Sequence, residues 1–420
     1  MKKLLAVISC LALLILSACA SSAAEGGKTK ITVALYTNAT HINTKNFEKI
    51  AANFEDENPD IDVEVQPGGN EFEAQMKTKM AANDLPDLFT THGWSVMRYS
   101  EFLEPLQDEP WAKKINPLIK DNITDKEGNI LTLPMDVDVT GLVFNKDVLD
   151  EAGVDAMEIK TWADFLAACE KIKATGKTPI NIAGPKDYGH IGTVVDVIAP
   201  TYLITNEKKN YREELKNGTF NWKHFGPVYE LFNTFVQEGY LNKDVKEGSY
   251  MGSVESFAKN ESAFGFYTNE LITQVKEINP DANFGYIAVP AATEADTPTV
   301  ITGERFSVGV WKDSENKEAA MKFLNYLSEP ENINLMASGT KNPTGLVGDG
   351  YQSDLAGLEP YYEQVKDLRA FNYFDREYLP SGMWDSLIKA GESIINEAAS
   401  KEEIIDKLSQ DYTKLYKQQN

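Results

Sequence analysis

The chain has 420 residues, 42% of them hydrophobic and 10% aromatic, which is the composition of a packed body rather than a disordered one. Its 64 acidic and 41 basic residues leave a net charge of −23, so nucleic acid and anionic lipid are poor partners and a neutral or cationic ligand is better suited. The four His are scattered and no H-E-x-x-H, C-x-x-C or G-x-S-x-G run occurs, so zinc and serine-hydrolase chemistry lack local support.

The chain opens with Lys2 and Lys3 ahead of an apolar run from Leu4 to Leu16. That run has the length of a signal-peptide core and falls short of the roughly 20 residues a spanning helix needs. Leu16-Ser17-Ala18-Cys19 resembles a bacterial lipobox. The resemblance implies that residues 1–18 are removed and that Cys19 is lipidated, leaving residues 19–30 as a flexible tether. Gly26-Gly27-Lys28-Thr29 mimics the end of a phosphate-binding loop, but Ser22 stands where its first glycine is required and no strand precedes it. Cys10 leaves with the leader. Cys169 is then alone, which forbids an intrachain disulfide, and its apolar helical setting predicts a buried core residue.

Ile31, Val33 and Leu35 alternate and predict a strand, and Phe47, Ile50, Ala51 and Phe54 predict one face of a helix ended by Pro59. Ile61, Val63 and Val65 alternate again, which completes a β-α-β unit and implies a parallel sheet. "EAQMKTKMAAND" reads as a helix and "PDLFTT" as a short buried strand. "TLPM" and "GLVFN" are further strands, and "TWADFLAACEKIKATG" is a helix stopped by Gly176. "SAFGFY" is a strand, followed by the helix "ELITQVKEI" capped by Thr268 or Asn269. "RFSVGVW" is a strand, and "NKEAAMKFLNYLSE" and the C-terminal "KEEIIDKLSQDYTKLYKQ" are helices. The class is therefore α/β. Ligands of such folds sit outside the carboxyl ends of strands, here the loops 36–41, 91–99, 136–141 and 267–270.

"FEKIAANFEDENPDIDVEV", "MAANDLPDLF", "GLVFNKDVLDEAGV" with "TWADF", "ESAFGFYTNELITQVKEINPDANFGYIAVP" and "NKEAAMKFLNYLSEPEN" occur in order along nearly the whole chain. Together they resemble the extracellular solute-binding proteins of ABC sugar importers, the group that includes maltose-binding protein. "THGWSVMRYSEF", "TGERFSVGVWKDS" and "YFDREYLPSGMWDSL" are similar to the members of that group that bind α-galactosides such as melibiose, raffinose and stachyose. The resemblance implies a two-lobe, periplasmic-binding-protein-like (type II) fold with three crossings, near 138–143, 288–292 and 342–347. Lobe I is then 31–139 with 291–342, and lobe II is 140–290 with 343–420. It also implies a monomeric binding protein, not an enzyme, that uses no cofactor or metal and hands an oligosaccharide to a membrane permease. Many members carry Trp where this chain has Glu270, which leaves Tyr267 as the substitute ring.

A pyranose needs aromatic planes for its C–H faces and paired donors and acceptors for its hydroxyls. Tyr36 and Asn38 follow the first strand, and His92 and Trp94 follow "PDLFTT". Asp136 and Asp138 alternate, so both carboxylates face one side and are expected to accept from the ligand. Glu304 and Arg305 precede "FSVGVW"; Arg305 either donates a fork to hydroxyls or pairs with Glu304. Trp384 and Asp385 stand at an expected helix start, downstream of Phe371, Tyr373 and Phe374. This group reads as a specificity loop or as packing between lobes. His190, among glycines, completes the set. Two readings compete: a surface glycosidase working through Asp136 and Asp138, and a binding lipoprotein for a peptide or polyamine.

Overall fold

The computed structural model describes residues 27–92, 95–184, 190–205, 209–355, 357–365 and 368–419. The leader, Cys19 and Trp94 lie outside them. In chain order the first elements are β1 (Thr29–Leu35), α1 (Ile42–Glu57), β2 (Ile61–Pro67), α2 (Phe72–Ala82), β3 (Leu88–Thr91) and β4 (Leu133–Pro134). Then come β5 (Asp138–Thr140), β6 (Leu142–Asn145), α3 (Trp162–Ala174), β7 (Thr178–Asn181), α4 (His190–Leu203), α5 (Gly226–Gln237) and α6 (Tyr250–Ala258). They are followed by β8 (Ser262–Gly265), α7 (Glu270–Ile278), β9 (Phe284–Ile287), β10 (Val300–Gly303), β11 (Ser307–Val310), α8 (Lys317–Leu327) and α9 (Pro330–Thr340). The last are α10 (Glu359–Val365), β12 (Ala370–Asn372), α11 (Phe374–Tyr378), α12 (Met383–Ile395) and α13 (Lys401–Gln419).

The strands form a five-stranded sheet in the order β2-β1-β3-β11-β4, a four-stranded sheet β7-β8-β6-β9 and a three-stranded sheet β12-β10-β5. The predicted β-α-β unit is present: β1 is parallel to β2 and to β3. β11 runs antiparallel to β3 and β4, and β6 runs antiparallel to β8 and β9, so both larger sheets are mixed. The apolar positions read from periodicity are core. Phe47, Ile50, Ala51 and Phe54 of α1 are buried with Ile31, Val33 and Leu35 of β1. Cys169 and Ile172 of α3 are buried with Phe264 of β8 in a second cluster, and burial pushes the Cys169 thiol up.

Local chemistry explains the element ends. Thr161 and Asp164 form a reciprocal capping box at the head of α3, and Gly176 follows its end with φ 85°. Asp87 fixes the first sheet from its loop: its carboxylate accepts from Thr32 N at 2.8 Å and from Ser314 Oγ at 2.6 Å. The expected side-chain cap of α7 is not made. Asn269 has helical dihedrals, and its amide donates instead to the Tyr362 hydroxyl and to the Lys341 carbonyl at 3.3 Å.

The passage over 138–143 runs through β5 into β6. Around the other two expected crossings, 288–292 and 342–347, the chain makes the following pairings. Ala291 still pairs with Thr161 beside the four-stranded sheet, and the chain enters the five-stranded sheet only at Ser307. Thr344 pairs with Asp136, Leu346 with Ile115, and Val347 N donates to Lys114 O at 2.6 Å, all on the first side. The chain reaches the other side at α10, which packs on β9. Gly345 lies between the paired residues Thr344 and Leu346. A Cβ on Gly345 would stand 2.2 Å from the Pro134 carbonyl, so the glycine serves a close backbone approach.

Candidate functional site

Antiparallel insertion of β11 decides where the site forms. Ser307, its first residue, stands opposite Thr91, the last of β3, and opposite Pro134 of β4. The residues just before β11 therefore share one sheet edge with those just after β1, β3 and β4. This edge gathers Tyr36, His92, Asp136, Asp138, Glu304 and Arg305. β6 is antiparallel to β8 in the second sheet, so the start of β6 and the loop after β8 are also neighbours. That loop carries Tyr267 and leads into Glu270.

Arg305 is the centre of the first group. Its backbone carbonyl accepts from the Tyr36 hydroxyl at 2.7 Å. Nη2 donates to Glu270 Oε2 at 2.6 Å, and Nη1 lies 3.9 Å from Asp138 Oδ2. Burial works against the charge, but Glu270 and then Asp138 outweigh it and hold the guanidinium above its ordinary range. The expected alternative, pairing with Glu304, is not realised: the acids come from the first crossing and from α7. His41 Nε2 also approaches Glu270 Oε1 at 3.7 Å, while its Nδ1 accepts from Asn43 N at the head of α1. Tyr36 packs its ring 4.5 Å from His92 and 5.6 Å from Phe306. Burial first, then the charges of Arg376, Arg305 and Arg98, push His92 down to about 3, so its imidazole is neutral.

The two aspartates part ways. Asp138 receives the Tyr373 hydroxyl. Asp136 is fully buried and accepts from Phe306 N at 2.8 Å, Thr340 Oγ1 at 2.9 Å and Asn342 Nδ2 at 3.2 Å. Burial raises its carboxyl to about 6. Asp136, expected to accept from a ligand, here accepts from three protein donors and staples segments 306 and 340–342 to the crossing. Glu304 is fully buried, and among the described residues neither of its carboxylate oxygens has a hydrogen-bond partner.

The remaining predicted residues fall elsewhere. His190 begins α4 with its ring stacked on Tyr250 at 5.2 Å and edge-on to Tyr267 at 5.0 Å. Tyr267 is only 4% exposed and its hydroxyl donates to Ser253 Oγ at 2.8 Å, so it is a covered ring and not an open stacking platform. Trp384 is half-buried in the first turn of α12 and lies over Gly192 of α4, where a Cβ would stand 3.1 Å from the indole. Asp385 is exposed in that first turn, where a negative charge suits the helix dipole and meets nothing of the site. Asn38 is exposed and holds its own turn, accepting from Thr40 N at 3.0 Å and Thr40 Oγ1 at 2.8 Å.

Sequence reading missed Arg376. In "YFDREY" it sits in a charge run, which looks like a solvated helix face. It lines a cavity of about 210 Å³ with Asp375, Leu379 and Trp384. A larger cavity, about 410 Å³, lies on the outside of the second half among Tyr202, Tyr211, Lys223 and His224. The smaller one is lined by residues 375–384 and brings a guanidinium, Arg376, beside a ring, Trp384. Arg98 of the first half donates to Ser381 Oγ on its rim at 3.0 Å. Among the described residues no cluster of His, Cys, Asp or Glu is placed to hold a metal, and no helix is long and apolar enough to cross a membrane.

A two-lobe α/β body with polar groups and rings convergent at its junction defines a binding protein. The chain belongs to the bacterial extracellular solute-binding proteins, whose family pattern matches residues 38–333. These are solute-binding proteins and not enzymes. The chain is 34% identical to the melibiose/raffinose/stachyose-binding protein MelE of Bacillus subtilis (strain 168), over 100% of this chain and 98% of that one. A binding protein of Bacillus subtilis solved in an open conformation superposes with a TM-score of 0.87 at 33% identity, covering 94% of this chain and 100% of that one. A sugar transporter protein of Bacillus licheniformis in complex with stachyose gives 0.81 at 30% identity, covering 92% and 100%.

Proposed function

We propose that this chain is the capture component of an ABC importer for an oligosaccharide, an α-galactoside such as raffinose, stachyose or melibiose. It is tethered to the outer face of the membrane through a lipidated Cys19, works as a monomer and passes its sugar to a permease whose ATPase is a separate chain. The observation that carries the reading is the junction itself. Carboxylates (Asp138, Glu304), guanidinium groups (Arg305, Arg376) and rings (Tyr36, Trp384) converge between two sheets at strand ends. The full-length likeness to a melibiose/raffinose/stachyose-binding protein supports the class of sugar.

The two halves hinge. Ligand contacts to both favour the closed form, by as much as the sugar's affinity differs between the two states. Calorimetry with raffinose, stachyose, melibiose, maltotriose, xylotriose and spermidine tests the reading. A micromolar Kd, worth roughly 8 kcal/mol, is expected for raffinose or stachyose. Heat from spermidine alone, or from none of the panel, overturns it. The tether is tested separately: Cys19→Ala is expected to move the protein from the membrane fraction to the medium, and retention in the membrane overturns that part.

A further inference from the structure

Arg376 lies in α11 with its guanidinium carbon 4.2 Å from the centroid of the Tyr373 ring. That ring is itself fixed. It lies against Gly303, where a Cβ would come within 2.7 Å of it, and its hydroxyl donates to Asp138. Stacking holds a guanidinium by its face and leaves its in-plane N–H groups available. The nearest acid is Asp375, whose Oδ1 is 3.8 Å from Nε, beyond hydrogen-bond length. Among the described residues Arg376 makes no hydrogen bond to the protein. It is therefore unlike Arg305, which Glu270 already occupies at 2.6 Å.

Arg376 stands beside residues that contact the first half. It lines the cavity of about 210 Å³ beside Trp384. Its charge is one of the three arginine charges that, after burial, lower the His92 imidazole. The rim of the same cavity, at Ser381, receives Arg98 from the first half. Glu304, whose carboxyl also feels the Arg376 charge, is fully buried, and among the described residues neither of its oxygens has a hydrogen-bond partner. A buried acceptor and a ring-stacked two-pronged donor are completed by a ligand that offers adjacent hydroxyls.

We propose that Arg376 is a specificity-determining residue of the sugar site, donating its fork to neighbouring hydroxyls of a pyranose ring that lies against Trp384, with Glu304 as the acceptor. This rests on the oligosaccharide reading above. The stacked geometry is the reason Arg and not Lys stands here: two parallel donors match a vicinal diol, whereas an ammonium presents a single point.

The test is calorimetry with raffinose on the full chain, its Arg376→Gln and Arg376→Lys variants, and Glu304→Gln, alongside melting temperatures without ligand. Arg376→Gln is expected to weaken binding roughly ten- to a hundredfold while the unliganded melting temperature barely moves. Arg376→Lys is expected to recover only part of the affinity, and Glu304→Gln to lose a similar amount. Wild-type affinity in Arg376→Gln overturns the proposal, as does a lowered melting temperature with affinity retained, which marks a purely structural arginine. If Arg376→Gln does not fold, Arg376→Lys decides: full affinity in it overturns the fork. Absence of raffinose, stachyose and melibiose binding in the wild type sinks the carbohydrate reading itself, a result distinct from all of these.

Discussion

Arg305 and Glu270 join the two halves of the molecule through a 2.6 Å hydrogen-bonded ion pair. The arginine's carbonyl is held by Tyr36 of the first half, and the glutamate heads α7 of the second. Both side chains are about a quarter exposed, at 23% and 24%, so the pair is shielded enough to matter and open enough to be rearranged by a ligand. A double-mutant cycle with Glu270→Gln and Arg305→Gln is expected to show a coupling of about 0.5–3 kcal/mol in urea unfolding. Strict additivity of the two single changes would remove the pair as a link between halves.

Asp136 gives the stability a pH dependence of unusual sign. Its folded carboxyl sits at about 6, against 3.8 for the ordinary group. Between those values the folded chain holds a proton that the unfolded chain has released. This share of stability is complete below about pH 4 and is lost as pH rises through 6. His92, held at about 3, acts in the opposite direction: its share is present above the ordinary imidazole range and is lost as pH falls. The two overlap, so the useful quantity is the difference between wild type and Asp136→Asn. That difference is expected to move by roughly 1–3 kcal/mol against the wild type from pH 4 to pH 7; a flat difference contradicts the assignment.

Gly192→Ala tests how Trp384 is seated. The added Cβ would stand 2.9 Å from Ile388 and 3.1 Å from the indole, so the ring must shift. The expected result is a loss of about 1–3 kcal/mol of stability, a changed tryptophan emission and weaker raffinose binding. Unchanged sugar affinity with a shifted emission would show that the ring does not meet the ligand.

Gly141 stands between β5 and β6, and a Cβ there would lie 2.2 Å from the Ile287 carbonyl. Backbone cannot yield as a side-chain tip does. Gly141→Ala is expected to destabilise the chain by at least about 1–3 kcal/mol and to slow closure on sugar, read by stopped-flow fluorescence. A neutral change in both would place the hinge elsewhere.

Most of the first half was legible because its cues are local. Alternation in Ile31, Val33 and Leu35 and the α1 stripe report burial directly. The ends of those strands then named Tyr36, His92, Glu304 and Arg305. What was not legible depends on contacts between distant segments. Asp136 and Asp138 are alike in sequence, and only donors from Phe306, Thr340 and Asn342 separate them. Asn269 looks like a helix cap until Tyr362 arrives beside it. Arg376 differs: its stacking on Tyr373 is a local i,i+3 contact, but the burial of that pair beside Asp138 comes from a distant segment.

The placement of β11 reaches beyond binding. It occupies the position between β3 and β4, although more than two hundred residues separate Thr91 from Ser307. As the polypeptide emerges from a ribosome or threads through a secretion pore amino end first, β3 and β4 have no neighbour to unite them until Val310 has passed. β2, β1 and β3 can pair early, but contacts as remote as those of β11 form slowly, so the first sheet is finished only after most of the chain has emerged.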